Sequence, residues 1–106
     1  MKTNNYCSNC QAYKLDEELS SFKCMTCNEY VLMKLETKDG DKAINKILAS
    51  EVDVNDMINI PNTDDFRNVL GTRFNDTEAI IALSEYGRVK IKLRKRVNKL
   101  EGAWYL

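Results

Sequence analysis

All four cysteines of the chain fall in two matched pairs, Cys7-Ser-Asn-Cys10 and Cys24-Met-Thr-Cys27. Within each pair the spacing lets two thiolates meet one ion, and the thirteen residues between pairs suffice for a short hairpin to return. Four thiolates at about 2.3 Å in a closed tetrahedron make a structural zinc site. The surroundings repeat as well, because Cys-x-x-Cys-x-x-Tyr runs from Cys7 to Tyr13 and again from Cys24 to Tyr30. A tyrosine three residues past each second cysteine would shield the same side of each half-site. Iron can take the same ligands. The pattern favours one structural Zn2+ per chain.

Residues 5–36 resemble a zinc ribbon, the rubredoxin-knuckle module found in transcription factors, small RNA polymerase subunits and ribosomal proteins. Cys7, Cys10, Cys24, Cys27 and the flanking aromatics carry the likeness, over under a third of the chain. The family usually places glycine directly after the second cysteine of each knuckle; here those positions are Gln11 and Asn28. Asn tolerates the left-handed backbone such a turn needs, and Gln does so less readily.

A chain of 106 residues is one domain or a zinc module with a small companion. The expected division is a ribbon over 1–38 and a small α+β unit over 39–106. Nothing reads as a signal peptide, and no apolar run approaches the ~20 residues of a membrane span. The expected location is cytoplasmic, where four cysteines hold metal more often than they pair. The sequence contains no histidine, which removes the commonest general base and every mixed Cys-His site. Its four glycines are scattered, so no phosphate loop is present. A closed thiolate site offers no open coordination position for chemistry. The expectation is a protein that is not an enzyme.

Net charge is zero but segregated. Residues 41–82 carry four basic and eight acidic side chains, and residues 83–106 carry seven and two. The basic end is concentrated in Arg88–Val97. There Val89, Ile91, Leu93 and Val97 share one parity, and Lys90, Lys92, Arg94 and Arg96 the other. Read as one strand, this segment has an apolar face backed by a row of cations.

The expected fold class is α+β: a small N-terminal zinc ribbon, a short helical unit and a C-terminal amphipathic basic strand. Strands flank the knuckles, and Thr37-Lys-Asp-Gly-Asp41 is a turn between modules. Ala43, Ile44, Ile47 and Leu48 form a helical stripe over 41–49. A second helix is expected over 64–70, with Phe66, Val69 and Leu70 on one face and Gly71 as its stop. Asn75-Asp-Thr-Glu78 has a capping-box layout for a third, through residue 86. The apolar end Trp104-Tyr105-Leu106 reads as a docked terminus.

These features point to non-enzymatic binding in gene expression. The expected partner is nucleic acid or an RNA polymerase-type complex, met by Lys90, Lys92, Arg94 and Arg96. The composition is that of an AT-rich genome, as in a phage or mobile element. A winged helix is disfavoured, because segment 64–70 carries only Arg67 beside Asp64 and Asp65. The alternative is an inhibitor or adaptor that docks Glu51, Asp53, Asp56, Asp64 and Asp65 on a basic host protein. No membrane partner is expected.

Overall fold

The computed structural model describes residues 4–105, which fold into β-strands and two 3-10 turns. No α-helix occurs among the described residues, so the expected α+β class is replaced by an antiparallel β fold. Two compact units are present. One runs through Lys46 and takes up the chain again from Glu101; the other is Ile47–Leu100. The turn at 37–41, expected as a module boundary, lies inside the first unit.

The first unit contains strands β1 (Asn5–Cys7), β2 (Ala12–Tyr13), β3 (Leu19–Ser20), β4 (Lys23–Cys24), β5 (Leu32–Thr37) and most of β6 (Gly40–Leu48). Its sheet order is β6-β5-β1-β2, with β3-β4 as a separate hairpin. The segment expected as helix 41–49 is therefore β6, paired with β5 from Met33↔Ile44 to Thr37↔Gly40. An apolar stripe this short fits either period, and the partner strand decides. Lys38-Asp39-Gly40 closes this hairpin, with Gly40 at φ +113°. Asp-Gly is the local signal that should have favoured strands on both sides.

The second unit contains β7 (Met57–Asn59), β8 (Phe66–Phe74), β9 (Glu78–Leu83), β10 (Gly87–Lys92) and the first residues of β11 (Arg96–Ala103). The order β10-β9-β8-β7-β11 is a meander whose last strand returns to pair with its first. Val69, Ala79, Ile81, Leu83, Ile91 and Val97 are buried inside it, with Ile58 and Ile60 from the β7 segment.

Both remaining expected helices are strands, set by their pairing partners. Residues 64–70 lead into β8, and Gly71 lies within the strand instead of stopping a helix. The register with β9 passes from Val69↔Leu83 to Gly71↔Ala82, which makes Leu70 the extra residue of a β-bulge and leaves it 63% exposed. Residues 75–86 are a turn, β9 and a second turn. Ala79, Ile81 and Leu83 are buried with period two, where a helix would bury Ala79, Ile80 and Leu83 together.

The capping signature at Asn75 has the right hydrogen bonds in a different setting. Asn75 Oδ1 accepts from the N–H groups of Thr77 (2.9 Å) and Glu78 (2.7 Å). An Asx turn and a helix N-cap share this pattern, and here it closes the β8–β9 hairpin. Asn75→Ala should cost about 1–2 kcal/mol, read as a lower urea midpoint. An unchanged midpoint would show that the turn is held by its flanking strands alone.

The basic segment 88–97 is not one strand. β10 ends at Lys92, residues 93–95 turn, and β11 begins at Arg96. The Lys95 N–H donates to the Lys92 carbonyl (3.0 Å), and the Leu93 N–H donates to the Thr77 carbonyl (3.1 Å). Lys95, the one residue that broke the alternation, sits in this turn. Within β10 the parity holds: Ile91 is buried and Val89 half-buried, while Lys90 and Lys92 are exposed. Leu93 is only half-buried. Leu93→Ala should therefore cost about 1 kcal/mol, below the 2–5 kcal/mol of a fully buried leucine. At the chain end the Trp104 N–H donates to the Asp41 carbonyl (3.0 Å), but Tyr105 is 92% exposed. The docked terminus thus stops short of Tyr105, and Leu106 lies outside the described residues.

Candidate metal centre and basic sheet face

Each knuckle is a tight hairpin. Strand β1 carries Cys7 into the first and β2 leaves it, in the register Tyr6↔Tyr13 and Cys7↔Ala12. The second repeats this geometry: β4 brings in Cys24, and Lys23 bridges to Tyr30 on the return. The two tyrosines of the sequence repeat thus occupy equivalent places. Each lies across the strand from the residue preceding its first cysteine. Tyr13 meets the edge of Tyr6 with ring centroids 5.2 Å apart, while the Lys23 ammonium lies 4.9 Å from the Tyr30 ring centroid.

The residues after the second cysteines adopt left-handed backbone, Gln11 at φ +54° and Asn28 at φ +60°. These are the places where ribbons carry glycine, so the knuckle geometry persists without it. Between the knuckles, Asp16–Glu18 form a 3-10 turn, and Ser21 and Phe22 (φ +51° and +66°) close the β3–β4 hairpin. That hairpin has the left-handed pair of a type I′ loop without the usual Asn-Gly.

The four sulfurs converge. Cys7 Sγ lies 3.4 Å from Cys27 Sγ and Cys10 Sγ 3.9 Å from Cys24 Sγ, and all four are within 4.8 Å of one another. A tetrahedron with metal–sulfur bonds of ~2.3 Å has edges of about 3.8 Å. The cage therefore has the size and the donor set to hold a metal ion. Cys7 and Cys24 are buried against Val31, with Leu19 and Met33 packed on the cluster. Two asparagines that sequence reasoning missed brace it. Buried Asn5 donates from Nδ2 to Asp16 Oδ1 (2.7 Å), and Asn45 Nδ2 donates to the Val31 carbonyl (2.9 Å). A buried amide has no periodic signature, so only the fold exposes these roles.

Backbone amides tune the thiols. The Cys27 N–H, aimed at its sulfur, pulls Cys24 down to about 6, with the Thr26 N–H adding to the effect. Hydrogen bonding to the Cys7 sulfur holds the Cys10 thiol up at about 12, and burial raises Cys7. At pH 7 the metal-free site therefore presents one ready thiolate, Cys24, and at least two thiols, Cys7 and Cys10. An incoming metal must displace both protons. Apparent affinity should thus rise with pH by at least about a hundredfold per unit near neutrality, tenfold for each proton released. It should steepen below pH 6, where Cys24 also binds a proton. Titration with a competing chromophoric chelator at pH 6, 7 and 8 would measure this slope, and a pH-independent affinity would contradict it.

The basic residues are distributed over two strands and a turn. Lys90 and Lys92 lie on β10, Arg94 in the turn and Arg96 on β11. Sequence reasoning missed two partners, Arg73 and Arg88. The register Arg88↔Ala82↔Gly71, Lys90↔Ile80↔Arg73 and Lys92↔Glu78 puts Arg73, Arg88, Lys90 and Lys92 on one face of β8-β9-β10. Gly71, Ile80 and Ala82 floor a shallow groove of about 380 Å³ walled by Arg73, Arg88 and Lys90. Arg73 lies fifteen residues from Arg88, too distant for any strand-parity argument to join them. Among the described residues, none of Arg73, Arg88, Lys90 or Lys92 makes an ion pair. Strand β10 is also the edge of its sheet, where exposed lysines discourage strand addition.

The acidic residues are not gathered in one patch. Glu51 Oε1 accepts from the Leu48 N–H (2.9 Å), and Asp56 accepts from the Asp53 N–H (2.9 Å) while facing Lys99 at 3.6 Å. Asp53 and Asp56 precede β7, whereas Asp64 and Asp65 occupy the loop at its other end. Glu51 and Asp56 are thus engaged in local structure, and Asp64 and Asp65 are separated from the others by the length of the β7–β8 hairpin.

No family model, curated protein or solved structure matches this chain. No helix of the described residues is long and apolar enough to cross a membrane.

Proposed function

We propose that the four cysteines hold one structural zinc ion, and that the protein is a non-enzymatic nucleic-acid-binding protein whose contact surface is the basic face of β8-β9-β10. Zinc suits a closed set of four thiolates with no histidine and no open position. The observation that carries the binding reading is the shared, unpaired placement of Arg73, Arg88, Lys90 and Lys92. Cations not neutralised from within are available to phosphates, and long side chains over Ile80 and Ala82 keep their stems packed and their heads in solvent. Along β10 the cations recur every two residues, about 6.7 Å apart. The same face would serve on the nucleic acid of a transcription complex. The acidic alternative has less support, because its residues are dispersed and partly engaged.

The test is fluorescence anisotropy with labelled single- and double-stranded oligonucleotides across a salt series. Affinity should fall steeply with salt, and Arg73→Gln plus Lys90→Gln should lower the log–log slope by about 2. The charge reversals Arg73→Glu plus Lys90→Glu should abolish binding without changing the circular dichroism. Absence of any binding at low salt up to high micromolar protein would sink the proposal and turn attention to protein partners of Asp53, Asp64 and Asp65.

A further inference from the structure

Strands β10 and β11 are joined by only three residues yet do not pair with each other. Strand β10 pairs with β9 and β11 with β7, so the sheet stays open between them. The opening is a cleft of about 500 Å³, within the ~300–1,000 Å³ that small ligands fill. The turn at its closed end is tied down on two sides. Its Leu93 N–H reaches the Thr77 carbonyl, and its Leu93 and Lys95 carbonyls accept from Ser50 and Ala49 (3.3 and 2.9 Å). The cleft is therefore preformed.

Its lining divides by chemistry. Pro61, Ile91 and Val97 supply apolar wall. Asn59, Asn62 and Asn98 bring amides. Lys90, Lys92, Lys95 and Arg96 stand against a single carboxylate, Glu78. Asn59 spends its Nδ2 on the Thr63 and Asp65 carbonyls, which orients its Oδ1 as an acceptor, and the Asn62 side chain makes no hydrogen bond among the described residues. Lys90 lines both this cleft and the basic groove on the sheet face, so the two adjoin at that residue.

We infer that this cleft receives one unstacked base of a single-stranded nucleic acid whose phosphates run over the β10 lysines. The inference rests on the nucleic-acid reading above and narrows it from nucleic acid in general to single strands. Apolar walls flank a base plane, amides pair with its polar edge, and cations at the rim hold the adjoining phosphates. A base within a duplex cannot enter, because its edge is paired and its faces are stacked. Glu78 repels phosphate from the Lys92 side of the floor and so favours base inward and backbone outward. An acidic peptide would satisfy the cations but would leave the amides and apolar walls without complementary groups.

The experiment compares the 106-residue chain on three probes of equal length: oligo-dT, oligo-U and an abasic oligomer with the same number of phosphates. Both base-bearing strands should bind on the order of tenfold tighter than the abasic one, and more tightly than a duplex. Asn62→Gly, which suits the left-handed backbone at φ +67°, and Asn98→Leu should each shrink that difference while leaving abasic and duplex affinity unchanged. A 2-aminopurine in the strand should change emission on binding, and Asn62→Gly should reduce the change. Equal affinity for base-bearing and abasic strands overturns the cleft inference and leaves the basic-face reading intact. Failure of every probe to bind overturns both. A poly-glutamate peptide that binds as tightly as oligo-dT and competes with it shows charge capture alone and also overturns the inference.

Discussion

Stripping metal from the four-cysteine cage is expected to unfold the knuckles. Structural thiolate sites of this kind bind zinc with free energies on the order of 10 kcal/mol, comparable with the whole stability of a small domain. The knuckles have little to replace it: the cluster they bury is Cys7, Cys24 and Val31, so the ligands are themselves much of the packing there. Without the ion, two sulfur pairs 3.4 and 3.9 Å apart would repel as thiolates or pack loosely as thiols. Protein prepared without chelator should contain one zinc by elemental analysis. Treatment with a strong chelator should collapse the amide chemical-shift dispersion of residues 5–36. Replacing any one cysteine by serine, for example Cys27→Ser, should abolish stoichiometric metal and have the same consequence. A melting profile that does not move on chelation would refute the structural role.

Truncating the core of the second unit should produce the next largest effect. Ile81 is fully buried at the centre of β9, between β8 and β10, with its side chain on the face opposite the cations. Ile81→Ala removes three carbons' worth of packing from a site that two flanking strands hold open. The cost should be about 2–5 kcal/mol. Lys92→Ala, on the same sheet but the exposed face, should change stability by less than about 0.5 kcal/mol. Chemical denaturation of both variants separates the two faces directly. Equal effects would mean that the inward and outward parities are assigned wrongly.

The four-cysteine cluster was legible because cysteine pairs at fixed spacing act locally. Each knuckle is a closed hairpin that its own six or seven residues determine, including the left-handed turns at Gln11 and Asn28. The β10 parity was legible for the same reason, since side-chain direction alternates in any strand whatever its partners. The helical stripes were misread because four or five apolar residues satisfy two periods at once. Ala43–Ile44 and Ala79–Ile80–Ile81 could belong to a helix or to a strand covered on both faces. Only long-range pairing distinguishes them, and pairing partners leave no mark on a short window. Asn75 shows the same limit at the level of a single hydrogen-bond motif, which serves a hairpin as well as a helix.

What a linear reading could establish here was chemistry carried by neighbours: a thiolate cage, its flanking tyrosines, a strand with a cationic face, and the lack of histidine. Tertiary structure alone placed Arg73 on the same face as Lys90, across Ile80, broke the basic segment into β10, a turn and β11, and opened the cleft between them. The physical reason is register. Strands far apart in sequence are set side by side by backbone hydrogen bonds that are nearly the same for every residue. Which side chains then share a face therefore depends on the whole sheet, including one bulge at Leu70.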